Sequence, residues 1–289
     1  MKRVVNACLL VCPLVAFVAG CNGSTGGGLT TFAAYVGGPA GVVAGQPFSF
    51  TSTNGYDISL TEARFHVAAI YFNQLVPSSG SPEQACILPG VYVDEVFGAC
   101  ASTNSCGVDA DLLSGALVPF PTPGDGTLNQ AFTAAVWLSG GDINATDDET
   151  PLLQVAGTAQ KDGLSWPFTG LVTIGSNHAQ APSSVATPGQ HPICLERIVA
   201  PPLVPEGVTT GVTIDNGGTL TMRVNLANVF NSVDFETWAP TGSTTTLTIP
   251  NDSSVFGLQL FSGFTSNAGP PPEGRPDLRV YQFDVSNPQ

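Results

Sequence analysis

Short runs of alternating apolar and polar residues, separated by turn-forming residues, recur from residue 46 to the C-terminus. Residues 46–51 alternate in this way, and Asn54-Gly55 follows them as a turn signal. Lys161-Asp162-Gly163 separates two further runs, at 152–160 and 164–174, and is typical of a hairpin turn. No long stretch shows a helical period. The pattern predicts an all-β fold, an antiparallel β-sandwich with a long disulfide-stapled loop region.

Residues 58–72 form the longest continuous strand prediction. Both faces of this run are largely apolar, which indicates a central strand buried on two sides. Thr61-Glu62-Ala63 would suit a helix start, but the β-branched and aromatic content favours a strand. A single helical turn is predicted at 226–230. The other predicted strands are 91–93, 131–138, 193–199, 219–226, 244–249, 255–261 and 278–285.

The N-terminus has the pattern of an export signal. Lys2 and Arg3 precede an apolar run that ends in small residues at position 20. A membrane-spanning helix needs about 20 apolar residues, and this run is shorter. The quartet Val18-Ala19-Gly20-Cys21 resembles the lipobox of bacterial lipoproteins, in which the signal is cut before a cysteine that then carries lipid. The alternative is an ordinary secreted protein whose cleavage site happens to precede a cysteine.

The segment after Cys21, at 22–28 (NGSTGGG), is rich in glycine and has no apolar side chain, as expected of a tether. We therefore divide the chain into a signal peptide at 1–20, a flexible tether at 21–31 and a single β-sandwich domain at 32–289. The lipobox resemblance implies attachment to the membrane through lipid on Cys21. Among lipoproteins, Asn22 rather than aspartate after the cysteine implies the outer membrane, without indicating which leaflet.

Composition limits the partners of the chain. The formal net charge is −14, and cleavage after residue 20 would remove two basic residues and no acidic one. Such a surface repels phosphate backbones, which argues against nucleic acid as a partner. It also argues against a basic patch that binds anionic lipid. Charged residues are nevertheless only 10% of the chain, so the acidic excess is equally typical of a soluble exported surface.

Seven cysteines divide by position. Two belong to the signal and one is Cys21, which leaves Cys86, Cys100, Cys106 and Cys194. An even number in an oxidising compartment predicts two disulfides, of three possible pairings. Because three of the four lie in a Pro- and Gly-rich region at 77–126, one bridge is expected to be local and to staple that loop. A four-thiolate zinc site is the alternative, although paired C-x2-C spacing is absent.

Candidate catalytic residues are few. There is no G-x-S-x-G elbow, and no pair of carboxylates stands out. The densest cluster of oxygen ligands comprises Asp142, Asn144, Asp147, Asp148 and Glu149. Calcium takes six to eight such ligands, but the spacing is not that of an EF-hand. An acidic hairpin tip that keeps the strands soluble explains the same residues.

Three histidines are candidates for copper or zinc. His178 and His191 lie in one Gly- and Pro-rich loop region and are predicted to approach each other. His66 lies inside the 58–72 strand among apolar neighbours, which is typical of a core histidine with satisfied hydrogen bonds.

Taken together and in this order, these sequence features resemble those of known protein families. The signal, the four remaining cysteines, the stretch 63–71 (ARFHVAAIY) and the late stretch 231–235 (NSVDF) together resemble uncharacterised bacterial outer-membrane lipoproteins. More distantly, they are similar to four-cysteine periplasmic proteins associated with copper acquisition and di-haem peroxidases. The first resemblance implies a lipid-anchored envelope protein. The second implies copper, without assigning ligands to particular residues here.

Three functions follow as hypotheses. The first is a lipid-anchored, non-catalytic domain that binds an envelope protein or glycan or supports envelope structure. The second is a periplasmic copper- or zinc-binding protein that uses His178 and His191. The third is an enzyme acting on envelope glycans or peptides, which would need a cleft with a close pair of carboxylates.

Overall fold

The computed structural model describes residues 29–73, 107–127, 130–138, 149–173, 198–199, 201–251, 260–266, 268–271 and 273–289. In chain order the strands are β1 (Leu29–Gly37), β2 (Phe48–Thr51), β3 (Asp57–Val67), β4 (Ala69–Asn73), β5 (Val108–Asp111), β6 (Val118–Pro119), β7 (Gly124–Thr127), β8 (Thr133–Trp137), β9 (Leu153–Lys161), β10 (Leu164–Val172), β11 (Ile198–Val199), β12 (Thr219–Val224), β13 (Leu247–Ile249) and β14 (Tyr281–Ser286). The helices are α1 (Leu226–Val229), a 3₁₀ turn (Phe230–Ser232), α2 (Phe235–Trp238) and α3 (Leu260–Phe264). No helix within these ranges is long and apolar enough to cross a bilayer.

The strands form three sheets. The first has the order β14-β12-β1-β6, with β7 also paired to β1. The second has the order β13-β10-β9-β3-β2, with β5 also paired to β3, and the third has the order β11-β8-β4. The prediction of an all-β, sandwich-like fold is confirmed. Two pairings depart from the purely antiparallel expectation, because β1 pairs with β12 and β10 pairs with β13 in parallel.

The predicted strand at 58–72 is two strands that belong to different sheets. β3 pairs with β9 in the second sheet, whereas β4 pairs with β8 in the third. Ala68 separates them and donates its N–H to the carbonyl of Trp137 at 2.9 Å. Gly107 packs against this break, where a Cβ atom would lie 2.0 Å from the Val67 carbonyl oxygen. The chain therefore changes sheets at a point where another backbone approaches closely.

Aromatic contacts join the sheets into one core. On β3, Phe65 lies 5.7 Å from Phe264 of α3 and 6.4 Å from Tyr281 of β14. On β4, Phe72 lies 5.7 Å from Phe283 of β14. β3 and β4 thus both pack against the first sheet, as in a sandwich.

Several predicted boundaries were wrong. The tether was expected to extend to residue 31, but β1 begins at Leu29; Thr30 is buried, and the Thr31 N–H donates to Asn216 Oδ1 at 2.9 Å. The region 77–126 was expected to be irregular, yet β5, β6 and β7 fall within it and extend the two larger sheets. These strands were missed because they are only two to four residues long.

The end of the predicted strand at 255–261 is helical instead, because α3 begins at Leu260. A Cβ atom at Gly263 of α3 would lie 2.0 Å from the carbonyl oxygen of Val229 in α1. The close approach of the two helices, which local residue preference does not reveal, overrides the strand pattern. In contrast, the predicted helical turn at 226–230 is confirmed, with the Asn225 side chain accepting from the Ala227 N–H as an N-cap.

Candidate functional site

Two of the residues nominated from sequence for metal binding, His66 and Glu149, are described, and Glu149 Oε2 accepts from the Thr173 hydroxyl at 2.7 Å. The others nominated for lipidation, disulfides or metal binding lie outside the described residues. They are Cys21, Cys86, Cys100, Cys106, Cys194, His178, His191, Asp142, Asn144, Asp147 and Asp148. Their roles therefore stay predictions. Within the described ranges, no group of three or more His, Cys, Asp or Glu side chains is arranged to hold a metal ion.

His66 is described, and its hydrogen bonds are only half satisfied. The residue is 6% exposed, and its Nδ1 lies 2.9 Å from Oδ1 of Asp109, the residue opposite it on β5. An ionised carboxylate only accepts hydrogen bonds, so Nδ1 donates this one. Nε2 is buried and has no hydrogen-bond partner among the residues that the structure describes. The expectation of a fully satisfied core histidine is wrong for this nitrogen.

A surface cleft of about 390 Å³ lies across strands β2, β3 and β9. The residues that line it are Ser49, Phe50, Thr51, Asp57, Ile58, Ser59, Thr158 and Gln160. Most of them carry a hydroxyl or an amide, and we refer to this feature as the hydroxyl cleft. It opens to solvent on the second sheet, at the edge formed by β2.

The polar side chains of the hydroxyl cleft form two rows across the three strands. In one row, Ser49 pairs with Ser59, which pairs with Thr158. Adjacent strands lie about 4.8 Å apart, and residues two apart on a strand are about 6.8 Å apart on the same face. The strand register thus sets the spacing of both rows.

The second row has the same geometry two residues along the strands. There Thr51 pairs with Asp57, which pairs with Gln160. Because each strand contributes one residue to each row, the two rows together form a grid of six polar side chains.

The hydrogen bonds of the hydroxyl cleft leave one side of it available to a ligand. The Thr51 hydroxyl donates to Asp57 Oδ1 at 2.7 Å, and the Ser49 and Ser59 hydroxyls lie 3.2 Å apart. The side chains of Thr158 and Gln160 make no hydrogen bond to the part of the chain that the structure describes. The β9 side of the grid therefore presents a free hydroxyl and a free amide to solvent.

The floor beneath the grid is packed against the core. Ile58 is 1% exposed, and the Phe50 ring lies 5.7 Å from both Phe48 and Phe230. Phe230 in turn packs on Phe168 of β10 at 5.5 Å. Because the strands beneath the polar groups are packed against the core, the spacing of these groups is set by the strand register before a ligand binds.

A second polar cluster fixes the end of the sheet beside the hydroxyl cleft. The Tyr56 hydroxyl donates to Asp234 Oδ1 at 2.5 Å and accepts the Glu236 N–H at 3.1 Å. Burial, with the hydrogen bond to Asp234, raises the pKa of Tyr56 well above its usual range. Burial alone would raise the pKa of Asp234, but hydrogen bonds from Tyr56, Thr237 and the Glu236 N–H hold it below its usual value.

This cluster also positions the cation nearest in sequence to the hydroxyl cleft. Lys161 follows Gln160, and its Nζ lies 3.0 Å from Glu236 Oε2 and 4.7 Å from the centre of the Tyr56 ring. The hydrogen bond to Glu236 raises the pKa of Lys161. Its charge is thereby paired with a carboxylate and an aromatic face and is not directed to the cleft.

Sequence reasoning missed the hydroxyl cleft. Each contributing strand shows alternating polar residues, as at Ser49 and Thr51 or at Thr158 and Gln160. Alternation indicates which residues face outward, but it does not indicate which strands are neighbours or in what register. The sequence therefore indicated that these strands have a polar face. It did not indicate that β3 pairs with β9, and the grid could not be predicted without that pairing.

Comparisons with known proteins add little. No protein-family model matches the chain, and no curated protein matches it. Among solved structures, MbnP from Methylosinus trichosporium is similar at 11% sequence identity over 72% of this chain and 78% of that chain, with a TM-score of 0.35. Similarity at this level assigns this chain neither a fold nor an activity.

Proposed function

We propose that the chain is a lipid-anchored envelope protein whose β domain binds another envelope component, without catalysis, through the hydroxyl cleft. The anchor rests on the Val18–Cys21 quartet and the glycine-rich segment after it. The binding role rests on one observation: the cleft holds a grid of six polar side chains, two of which make no hydrogen bond within the described residues.

The lining of the hydroxyl cleft favours binding over hydrolysis. A glycosidase needs two carboxyl groups about 5 to 9.5 Å apart. Asp57 is the single carboxylate among the lining residues, and its Oδ1 already accepts from Thr51. Among the described lining residues there is no cysteine, histidine or lysine. The site thus offers many hydrogen-bonding groups and a single carboxylate, without the second one that glycoside hydrolysis requires.

Photo-crosslinking in living cells tests the binding role. A photoreactive residue at Ser49, on the rim of the hydroxyl cleft, should yield a discrete adduct that increases and then saturates with expression level. The same residue at Thr169, exposed on β10 outside the cleft, is the matched control and should yield none. Equal adducts at both positions, or none at either, would contradict the proposal.

Metal binding is the second candidate function, and His66 is the observation that favours it. In proteins, a metal-ligating histidine almost always donates its other ring N–H to a carboxylate, carbonyl or water. His66 shows this arrangement, with Nδ1 on Asp109 and a buried, unpartnered Nε2. A copper or zinc site there would need further ligands, for which His178 and His191 are the candidates that we propose.

Thermal unfolding with copper(II) or zinc tests this candidate. Metal at 100 times its dissociation constant should stabilise the fold by about 2.7 kcal/mol. His66→Gln should abolish the gain, and the double variant His178→Ala/His191→Ala should do so as well if the three residues share one site. Val43→Ala, at a position 63% exposed, serves as the unrelated control. If neither metal changes the melting temperature of the metal-free protein, this function is excluded.

A further inference from the structure

We propose that the ligand of the hydroxyl cleft is an uncharged glycan. This inference rests on the proposed binding function and names the chemical class of the ligand. Its basis is the combination of hydroxyl and amide groups, a near absence of charge and a fixed two-row spacing on one open face. The contacts of the described residues allow each competing class of ligand to be weighed against this one.

Anionic ligands do not suit the hydroxyl cleft. Recognition of phosphate, sulfate or carboxylate relies on arginine, lysine or a row of backbone N–H donors. The described lining residues include no cation, the charged side chain among them is the carboxylate of Asp57, and the adjacent Lys161 is paired with Glu236. A formal net charge of −14 over the whole chain adds a repulsive field. Acidic polysaccharides and nucleic acid are therefore disfavoured.

Apolar ligands and divalent cations do not suit it either. The apolar side chains beneath the grid are turned to the core, where Ile58 is buried and Phe50 packs on Phe230. A hydrophobic ligand would cover the six polar side chains of the grid without pairing them, which is unfavourable. Calcium takes six to eight oxygen ligands, usually from several carboxylates and carbonyls, and Asp57 alone supplies one carboxylate. A neutral ligand with many hydroxyls needs neither a large apolar surface nor several carboxylates.

A glycan matches the donors and acceptors of the grid. A serine or threonine hydroxyl both donates and accepts, and a glutamine amide offers two donors and an acceptor. Sugar hydroxyls have the same dual character, so the hydroxyl of Thr158 and the amide of Gln160 can each pair in both directions. The paired hydroxyls of Ser49 and Ser59 can rotate to accommodate either role. An extended glycan laid along the strands would cross the two rows of three side chains one after the other.

Calorimetric titration of the purified mature domain with neutral hexasaccharides tests the inference. The probes are cellohexaose, maltohexaose, mannohexaose and the hexamer of N-acetylglucosamine, with an oligomer of uronic acid as the charged comparison. At least one neutral probe should bind saturably, with an affinity that is the same in low and high salt because no charge pair forms. The uronic-acid oligomer should bind more weakly than that probe.

Two variants link such binding to the grid. Thr158→Val removes one hydroxyl while keeping the shape of the side chain, and should weaken binding about two- to tenfold, as expected for one neutral hydrogen bond. Combining it with Gln160→Met should weaken binding further. Thr169→Val, at an exposed threonine of the neighbouring strand β10 that does not line the cleft, should leave the affinity unchanged. Circular dichroism of all three variants confirms that the fold is retained.

Some outcomes overturn the inference without touching the proposed function. If the Ser49 crosslink forms but its adduct is a protein, the cleft binds a polypeptide, for which β2 provides an edge strand. Preferential binding of the uronic-acid oligomer, or binding that Thr158→Val/Gln160→Met leaves intact, would likewise overturn it. Absence of binding to every neutral probe would do the same. Failure of the Ser49 crosslink itself would instead contradict the proposed function.

Discussion

Tyr56 and Asp234, which are 178 residues apart in sequence, are joined by a 2.5 Å hydrogen bond from the tyrosine hydroxyl to Oδ1 of the aspartate. Tyr56 precedes β3, and Asp234 is the N-cap of α2. The bond therefore fastens the late helical segment to the sheet that carries the hydroxyl cleft. The Tyr56 ring adds edge-on contacts to Phe235 at 5.2 Å and to Trp166 at 5.6 Å.

We expect Tyr56→Phe to destabilise the fold by about 1–3 kcal/mol, because the change removes a charge-assisted hydrogen bond to the partly buried Asp234 and one of the two acceptors of the Glu236 N–H. Urea unfolding followed by tryptophan fluorescence measures the difference. Tyr35→Phe is the matched control, because the Tyr35 hydroxyl makes no hydrogen bond within the described residues; its effect should be within about 0.5 kcal/mol. Equal effects of the two changes would show that the Asp234 bond contributes nothing.

Acid should weaken the fold through Asp277. Hydrogen bonds from Arg279, at 2.7 to 3.2 Å, hold the pKa of Asp277 below its usual value against the opposing effect of burial. Since the unfolded chain then binds this proton more readily, the stabilisation is complete above about pH 3.9 and is lost as pH falls toward the native pKa.

The unfolding free energy of Asp277→Asn, measured between pH 6 and pH 2.5, should fall less steeply with acid than that of the parent protein. Asp125→Asn, at an exposed carboxylate of β7, is the control and should follow the parent curve. Identical acid slopes for Asp277→Asn and the parent would contradict the assignment.

Replacing Cys21 with serine should release the protein from the membrane fraction into the soluble envelope fraction. The lipid would be the attachment, since the acidic surface offers none to anionic headgroups. Fractionation and immunoblotting measure the shift, with Cys86→Ser as a control that removes a cysteine without removing the predicted anchor. Unchanged membrane retention of Cys21→Ser would refute the anchor.

Thiol labelling of the unfolded, unreduced mature protein should detect close to no free cysteine, because Cys86, Cys100, Cys106 and Cys194 are predicted to form two disulfides. Loss of the bridge to Cys194 should cost several kcal/mol, about 4–5 in the chain-entropy model, because the loop that it closes is long. Unfolding of Cys194→Ser measures this cost. Two or more reactive thiols in the parent protein would favour the four-thiolate zinc alternative.

The sequence predicted the strands whose alternation is complete, and it missed what depends on tertiary packing. The hairpin at Asp162-Gly163 is confirmed, and both residues have the positive φ angles, 50° and 79°, that their turn chemistry suggests. The parallel pairing of β1 with β12 was not predictable, because neighbours so distant in sequence are chosen by the core and not by local pattern. For the same reason, residues 58–72 were predicted as one strand, although the chain changes sheets at Ala68.

The candidate site was predictable only in part. The sequence correctly placed His66 in a strand. It did not predict β5, and the hydrogen bond between His66 Nδ1 and Asp109 of β5 was therefore not foreseen. The polar residues of the hydroxyl cleft were visible as outward positions, whereas their grouping required the register between Ser59 and Thr158. The residue types therefore indicated that hydrogen-bonding side chains face outward. The pairing of the strands determines which of these side chains lie together.

The position of β1 within the first sheet has a mechanical consequence. β1 is the strand that leaves the predicted tether, and it lies inside the sheet, with β12 on one side and β6 and β7 on the other. A pull on the anchor directed along β1 would load the hydrogen bonds of both flanking ladders at once, in shear, instead of opening them one after another. A domain attached in this way should resist force transmitted through its tether better than one attached through an edge strand.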